Sequence, residues 1–517
     1  MGRALLAAAG RQAELATEPR SAPGWQVWGA FALLLALMAL PVFSSVLPPL
    51  FDYPNHLARM HLLAEGGDRF YRVVWAPLPN LAEDLLVPLL ARLMPLELAG
   101  KLFLVMIFAL IAGGALCLNR AIADGWRFWP LLVFSLLYNR ILLWGFLNYL
   151  FGLGVALCGL ALWLALEERR AWPRVLASAG VALACFFSHI AAFGIYALAI
   201  CGVEAPLALA EIRARDWPAL GRRAAILTPQ FVLPAALFLG WRRQAAAGGV
   251  SYAGFARKAD LLFSVFDNYD RSFDIACFAL FLALGLWLAV SARLRLAPRL
   301  GWAAGLVFAA YLLMPSQIYG GSGADHRLPL ALLLLLVAGS APQFPSRRTA
   351  VAIGTAAALL LTLRMAVIER AWRRADRVYA ADLAAIDALP RGARLGVAYP
   401  DAVHVVPVPQ VHLAAMAVVR RDAFVPTLFA DRAQQPIVLR PPWAARAAAA
   451  QPPALWAAFV SGDRAALARL APVLADYNFI VFVDRQPFIV RPARYLRPVF
   501  EQPTFQIFAI RRDPQLT

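Results

Sequence analysis

Long apolar stretches alternate with short arginine-rich connections along most of the chain. The uncharged run between Arg20 and Asp52 contains 31 residues, and the run between Arg140 and Glu167 contains 26. About 20 apolar residues cross the hydrocarbon core of a bilayer as an α-helix. The runs do not show the period-two alternation of transmembrane barrel strands. The pattern therefore predicts a polytopic, α-helical membrane protein.

Eleven membrane-spanning helices are predicted from these runs. They lie near residues 25–47, 99–118, 128–139, 145–166, 173–188, 190–210, 224–241, 273–291, 301–317, 328–340 and 350–367. The third, fifth and tenth are short. The apolar segment 81–94 also carries Glu83, Asp84 and Arg92, so we interpret it as an interfacial or re-entrant helix rather than as a span.

The distribution of arginine and lysine predicts the orientation of these helices. With the N-terminus inside, the inner segments and their helix ends carry 17 basic residues in 72 positions, against 11 in 105 for the outer ones. The positive-inside rule favours this arrangement. Residues 1–24 are then a cytoplasmic N-terminus, and 25–367 form a transmembrane domain with a long first outer loop at 48–98. Residues 368–517 follow as a domain outside the cytoplasm.

That C-terminal region differs from the rest of the chain in composition. It is richer in charge and proline, and it has no run long enough to span a membrane. Its patterns predict helices at 380–389 and 462–476, and strands at 394–398, 479–483 and 505–510. We therefore expect a small α/β domain. The proline-rich stretch 436–453 is expected to be loop.

Composition narrows the possible classes of function. The net charge is +18, but Lys101 and Lys258 are the only lysines, and most arginines lie at predicted helix ends, where they set topology. No basic run interleaved with aromatic residues is present, so no nucleic-acid partner is expected. The preference for arginine and alanine indicates a GC-rich bacterial genome. We therefore expect a bacterial inner-membrane protein whose C-terminal domain is periplasmic.

Several common motifs are missing from the sequence. The five cysteines lie in apolar segments and none has CxxC spacing, which indicates neither a disulfide framework nor a zinc site. The sequence has no P-loop, HExxH, GxSxG or Rossmann glycine motif. An ATP-driven pump and a soluble nucleotide-sugar enzyme are therefore disfavoured.

The segment directly after the first span holds the first strong candidate site. Residues 51–59 read FDYPNHLAR, and the proline favours the first turn of a helix. Because His56 and Arg59 are three residues apart, they share a helix face. With Asp52, they would place a carboxylate, an imidazole and a guanidinium at the outer leaflet, a set suited to proton abstraction beside a phosphate. The alternative is that Asp52 is a helix cap and the other two are interfacial residues.

Glu83 and Asp84 form a pair of adjacent carboxylates in the same outer loop. Such a pair would hold a divalent cation such as Mg²⁺ or Mn²⁺ through its oxygen atoms. The alternative is that both are solvated acids at the start of a helix, where the helix dipole favours negative charge.

Further polar residues are predicted on the same side of the membrane. Arg140 lies between two spans and either binds a lipid phosphate or extends to the interface. Asn148 and Tyr149 are candidate sugar contacts, although tyrosine also anchors helices at interfaces. His189 lies at an outer helix end, where it either contacts substrate or has a structural role.

A glycine-rich segment before the tenth predicted span is the second strong candidate. Residues 319–327 read YGGSGADHR, and the glycines permit close approach of the backbone to a ligand. Asp325, His326 and Arg327 then lie at the entrance of the span. Arginine and histidine there would bind a phosphate or diphosphate leaving group. The alternative is an ordinary loop with an interfacial anchor.

Together these features resemble the GT-C superfamily of polytopic membrane glycosyltransferases. The resemblance covers roughly residues 25–367 and lies mainly in the layout of many spans and a long first outer loop with an acidic residue. By position, Asp52 matches the family's catalytic aspartate, and Arg327 is similar to its carrier-phosphate ligands. The family's common Asp-Asp or Asp-Glu pair is Asp52-Tyr53 in this chain, and the WWDYG-type motif of oligosaccharyltransferases is absent.

The resemblance implies a hexosyl- or pentosyltransferase that uses a lipid-linked sugar donor. A sugar would move from a polyprenyl-phosphate carrier to a lipid, glycan or protein acceptor on the outer side, with membrane lipids as further partners. Asp52 would be the general base, and Arg59, His326 and Arg327 would stabilise the departing phosphate. Two other classes stay open. One is a transporter or flippase, and the other is a non-catalytic anchor that presents residues 368–517.

Overall fold

The computed structural model describes residues 21–123, 125–242, 249–318, 321–401, 409–491 and 496–511. Within these ranges, seven helices are long and apolar enough to cross a membrane. They are Gly24–Ser44, Leu96–Ile122, Leu147–Ala165, Ala171–Ser188, Ile190–Arg213, Arg271–Val290 and Arg347–Asp387. Two more helices, Trp217–Leu227 and Pro229–Arg242, meet at an angle of 49° and would together form an eighth span.

Three shorter apolar segments coincide with the remaining predicted spans. They are Trp129–Trp144, Pro298–Leu313 and Arg327–Ala338. The first of them consists of a 3₁₀-helix, Trp129–Leu136, and a short α-helix, Arg140–Trp144. Each of the eleven predicted spans therefore coincides with an apolar helix or with the bent pair, and the predicted polytopic helical fold is confirmed. The segment 81–94 forms helix Ala82–Ala91, whose 10 residues are too few to cross a bilayer.

The remaining helices lie outside these apolar segments. They are Tyr53–Glu65, Phe255–Phe263, Met416–Arg421, Trp443–Ala449, Pro452–Trp456 and Arg464–Leu474, with a 3₁₀-helix at Pro409–Ala415 and a π-helical turn at Ala457–Ser461. Helix Tyr53–Glu65, called the surface helix below, has Pro54 in its first turn and ends at Gly66, whose φ of 80° suits a helix C-terminus.

The 41-residue helix Arg347–Asp387 connects the membrane part to the C-terminal domain. Its Asp376 carboxylate accepts a hydrogen bond of 3.0 Å from the backbone N–H of Val46, just after the first span. The predicted domain boundary at 367/368 falls inside this helix. The predicted helix 380–389 is its final part, because the intervening residues are mostly arginine, alanine and glutamate, which favour helix.

A four-stranded sheet forms the centre of the C-terminal domain. Its strands lie in the spatial order Leu395–Ala398, Phe479–Val483, Phe505–Ile510 and Leu496–Glu501. The first two are parallel, and the other neighbours are antiparallel. All three predicted strands are present. Strand Leu496–Glu501 was not predicted, because it is an exposed edge strand containing Arg497 and Pro498 and lacks a regular apolar alternation.

Three small antiparallel pairs lie outside this sheet, and the first two of them join distant parts of the chain. They are Tyr71–Val73 with Ile437–Leu439, Leu294–Leu296 with Ser340–Pro342, and Gln317–Ile318 with Gly321–Ser322. The first pair attaches the C-terminal domain to the loop that follows the first span, and both therefore lie on the same side of the membrane. The loop prediction for 436–453 was wrong where this strand and helix Trp443–Ala449 occur. Both elements are short and lie between prolines that obscure their patterns.

Candidate active site

Asp52 lies where the end of the first span meets the surface helix. The backbone N–H of Asp52 donates to the carbonyl of Trp144 at 3.3 Å, which fixes the segment against the short helix Arg140–Trp144. Gly145 ends that helix with a φ of 89°, and a Cβ atom there would lie 2.8 Å from Cβ of Asp52. The Asp52 side chain makes no capping hydrogen bond to the surface helix. The cap interpretation therefore does not hold for its carboxylate, which lines a cavity.

The surface helix turns His56 and Arg59 toward the two acids of helix Ala82–Ala91. Nε of Arg59 donates to Oδ1 of Asp84 at 2.6 Å, and Nδ1 of His56 lies 2.5 Å from Oε2 of Glu83. All four side chains are buried. Nη1 of Arg59 has no hydrogen-bond partner among the described residues. The cluster thus holds one face of Arg59 rigidly and leaves another donor of its guanidinium for a ligand.

The predicted cation site at Glu83 and Asp84 does not fit this geometry. Both carboxylates are engaged by Arg59 and His56, which occupy the oxygen atoms that a cation would need. In the part of the chain that the structure describes, no group of three or more His, Cys, Asp or Glu side chains is arranged to hold a metal ion. A divalent cation needs about six oxygen ligands. We therefore derive no chemical step from a metal.

A cavity of about 200 Å³ collects most of the candidate site residues. From the membrane part it is lined by Asp52, His56, Arg59, Asn148, Tyr149, His189 and Arg327, together with Asn80 and the segment 145–147. We call it the first cavity. These residues come from five separate stretches of sequence, and all lie at the same end of the helices. Asp84 does not line the cavity, but it binds Arg59, which does.

The wall opposite the surface helix presents positive charge and hydrogen-bond donors. Arg327 begins a helix, and its guanidinium lies 4.5 Å from the ring centre of Phe146 and donates to the carbonyl of Gly323 at 2.6 Å. The hydroxyl of Tyr149 donates to the backbone carbonyl of Arg327 at 2.5 Å. The glycine-rich segment and its neighbours thus fix Arg327 at the cavity. Tyr319 and Gly320 of that segment lie outside the described residues.

His189 is held between two long helices. Its Nδ1 accepts a 3.0 Å hydrogen bond from the backbone N–H of Ala191 and so caps helix Ile190–Arg213. Burial, and then the nearby charge of Arg327, lower the pKa of His189 well below its usual value. The ring is therefore neutral, and because Nδ1 accepts, its proton lies on Nε2. A neutral N–H donor of this kind suits a sugar hydroxyl or a phosphate oxygen.

Asn148 has a supporting role in the same cavity. Its Oδ1 accepts from the backbone N–H of Glu83 at 2.7 Å, and its Nδ2 donates to Oδ1 of Asn80 at 3.0 Å. The side chain therefore joins the start of helix Leu147–Ala165 to the acid-bearing helix. Because both Oδ1 and Nδ2 of this amide already have partners, the structure favours a role for Asn148 in positioning the helix of Glu83 over a direct contact with sugar.

Besides Glu83 and Asp84, three predicted site residues lie outside the lining of the first cavity. Arg140 forms ion pairs with Asp260 at 2.9 Å and Asp267 at 2.6 Å. Asp325 is buried 3.3 Å from Nζ of Lys258, and Nε2 of His326 lies 3.1 Å from Nη2 of Arg257. Burial lowers the pKa of His326 to about 4, so this ring is neutral near pH 7. In this structure Arg140 and His326 thus contact groups of the protein itself, and their predicted phosphate contacts stay predictions.

The C-terminal domain completes the site with residues that the sequence did not indicate. Phe429, Gln434 and Gln435 line the first cavity. A second cavity of about 430 Å³ lies between this domain and the membrane part. Its lining includes Phe51, Asp52, Trp144, Phe146, Tyr399, His412, Thr427, Phe429 and Gln451. Asp52 therefore lies in the wall that separates the two cavities.

The environment of Asp52 raises its affinity for a proton. Burial raises the pKa of this carboxyl to about 7, against the opposing effect of the charges on His56 and Arg59. About 14% of the side chain remains exposed, so a ligand in either cavity can reach it. A carboxyl with a pKa near 7 is ionised in part at neutral pH and can both accept and return a proton. The arrangement can therefore perform general base chemistry beside a cationic pocket.

Comparison with known proteins supports the fold. The crystal structure of ArnT from Cupriavidus metallidurans bound to undecaprenyl phosphate matches 95% of this chain and 98% of its own, with a TM-score of 0.50 and 14% sequence identity. ArnT has the GT-C fold, so the fold expected from the sequence is confirmed. No family model and no curated protein matches the sequence.

Proposed function

We propose that the protein transfers a sugar from a polyprenyl-phosphate carrier to an acceptor on the extracytoplasmic face of the bacterial inner membrane. The observation that carries this proposal is the position of Asp52 between two cavities, of which the first is lined by Arg59, His189 and Arg327. The fold match to a protein bound to undecaprenyl phosphate supports a lipid-linked donor.

The first cavity suits the phosphate end of such a donor. Arg327 and Arg59 both line it, and Nε2–H of the neutral His189 adds an uncharged donor. Charge-assisted hydrogen bonds from arginine are the strongest that a protein offers to a phosphate oxygen. The polyprenyl chain would leave the cavity between the apolar helices. The cavity volume of about 200 Å³ fits a headgroup and not the whole lipid.

The second cavity suits the acceptor. It reaches Asp52 from the side of the C-terminal domain, and its lining mixes aromatic rings with polar groups such as Thr427 and Gln451. Aromatic faces with a few placed polar groups are typical of sites that bind sugars or amphipathic molecules. A hydroxyl entering here would meet Asp52 opposite the donor phosphate.

The reaction is a single displacement with inversion at the anomeric carbon. Asp52 takes the proton of the acceptor hydroxyl, the hydroxyl oxygen forms a bond to the anomeric carbon, and the bond from that carbon to the carrier phosphate oxygen breaks. The electron pair of the broken bond leaves with the phosphate. Arg327 and Arg59 stabilise the charge that develops there. The products are the glycosylated acceptor and the free polyprenyl phosphate.

The two alternative classes explain the site less completely. The buried Glu204 of the membrane part is paired with three arginines, Arg174, Arg223 and Arg299. A transport pathway would instead present accessible ionisable groups near mid-membrane. A passive anchor gives no reason for the C-terminal domain to complete a cavity around Asp52.

Transfer in isolated membranes tests the proposal. Membranes that contain the wild-type protein are supplied with radiolabelled polyprenyl-phosphate sugars and a crude envelope acceptor, and label in the acceptor is measured. Arg327→Gln is compared with Arg348→Gln, whose arginine lies at the opposite end of the membrane part, at the start of helix Arg347–Asp387. The proposal predicts transfer by the wild type and the Arg348→Gln variant, with a loss for Arg327→Gln. Equal label in the acceptor for membranes with and without the protein would contradict the proposed function.

A further inference from the structure

His412 brings the C-terminal domain into direct contact with the surroundings of Asp52. It belongs to the 3₁₀-helix Pro409–Ala415, and its ring packs edge-on against Phe51 at 4.8 Å and Phe429 at 5.3 Å between ring centres. The side chain is 6% exposed. Two aromatic rings from different parts of the chain therefore hold the imidazole in one orientation.

Asn55 determines which nitrogen of this imidazole carries the proton. Nδ2 of Asn55 lies 2.6 Å from Nδ1 of His412 and 3.4 Å from the carbonyl oxygen of Thr427. A carbonyl oxygen can only accept, so the amide nitrogen of Asn55 must face it, and Nδ1 of His412 is then an acceptor as well. The neutral ring consequently carries its hydrogen on Nε2.

The protonated nitrogen faces the carboxylate. Nε2 of His412 lies 3.4 Å from Oδ1 of Asp52. The charged groups that act on Asp52 are His56 and Arg59 on the surface helix and Glu83 on helix Ala82–Ala91. Within the described residues, His412 thus reaches this carboxylate from the C-terminal domain, and its N–H stabilises the ionised form.

We propose that His412 is a positioning residue for Asp52, with its tautomer set by Asn55, so that the C-terminal domain supplies part of the catalytic apparatus. This inference rests on the function proposed above. With Oδ1 oriented by His412, the second oxygen of Asp52 receives the proton of the acceptor hydroxyl. The chain of contacts from Asn55 through His412 to Asp52 spans more than 350 positions of sequence.

The pH dependence of transfer distinguishes this role from simple packing. In His412→Phe the ring stays between Phe51 and Phe429, but the N–H group that lies 3.4 Å from Asp52 is lost. The acidic limb of the kcat/KM profile should move to higher pH by about one unit. The loss of activity should therefore be greatest at low pH and shrink at alkaline pH. His412→Gln, whose amide can still donate to Asp52, should recover part of the shift.

Two controls make the outcome decisive. His61→Phe changes a histidine of the surface helix that lines neither cavity, and it should leave the profile in place. Asp52→Asn shows whether transfer depends on the carboxylate at all. Suppose that the wild type is active and Asp52→Asn is inactive. A pH profile of His412→Phe that is unchanged, or that is lowered equally at every pH, then overturns the proposed role of His412 and leaves the proposed function standing. Absence of transfer by the wild type overturns the proposed function and this inference with it.

Discussion

The hydroxyl of Tyr149 donates a 2.5 Å hydrogen bond to the backbone carbonyl of Arg327, although the two residues lie 178 positions apart in the chain. The bond joins helix Leu147–Ala165 to helix Arg327–Ala338 at the first cavity. The guanidinium of Arg327 also lies 5.9 Å from the ring centre of Tyr149. Tyr149 thus positions the main cation of the proposed donor site.

Removal of this hydroxyl should weaken donor binding more than it slows the chemical step. In Tyr149→Phe the ring remains, but one hydrogen bond worth about 1 kcal/mol is lost, which corresponds to about a fivefold rise in KM for the lipid-linked donor. Steady-state transfer at varied donor concentration measures this effect. A fall in kcat with an unchanged KM would instead place the hydroxyl in the reaction itself.

The rate of transfer should depend on pH through Asp52. Its pKa is raised to about 7 by burial, so below that pH the carboxyl is protonated and cannot accept a proton. The value of kcat/KM should fall about tenfold per pH unit below about pH 7 and level off above it. A pH–rate profile of the wild type checks this expectation. A rate that stays level from pH 8 to pH 5 would contradict a base with a raised pKa.

Much of this site was accessible from the sequence because its residues are the last or first polar groups beside apolar runs. Asp52, His189 and Arg327 were identified for that reason, and all three line the first cavity. His412 and Phe429 were not identified. Their place depends on the docking of the C-terminal domain through strands Tyr71–Val73 and Ile437–Leu439, each of 3 residues and too short to produce a pattern.

Arg140 illustrates the opposite situation. An arginine between two spans requires a charged partner or water, and its sequence context predicts either a lipid phosphate or the membrane interface. The structure supplies Asp260 and Asp267, which lie more than 100 positions further along the chain. The need for a partner was predictable from the local sequence, but the identity of the partner depended on the tertiary fold.

Gly145 should be essential to the geometry of Asp52. Its φ of 89° disfavours any side chain, and an added Cβ would lie 2.8 Å from Cβ of Asp52. Gly145→Ala should therefore displace Asp52 and lower transfer by about 100-fold, because small misplacements of catalytic groups are costly. The matched control is Gly285→Ala in helix Arg271–Val290, where an added Cβ meets no atom within 4 Å. Similar activity of both variants at equal expression would show that Gly145 is not needed to position Asp52.

Transfer should not require a divalent cation at Glu83 and Asp84. Both acids are engaged by His56 and Arg59, so Glu83→Gln and Asp84→Asn should reduce activity by releasing Arg59 rather than by removing a metal. The measurement is transfer after treatment with EDTA, followed by addition of Mg²⁺ or Mn²⁺. Loss of activity with the chelator and its recovery with the metal would show that a cation binds in spite of these ion pairs.

The most direct test of the central claim compares the wild type with Asp52→Asn at equal expression, in membranes supplied with radiolabelled polyprenyl-phosphate sugars and an envelope acceptor. Asparagine keeps the size of the side chain but cannot act as a base at neutral pH. The account predicts labelled acceptor and released polyprenyl phosphate for the wild type, and neither above background for the variant. Equal transfer by both proteins would remove Asp52 from the chemistry and contradict the account.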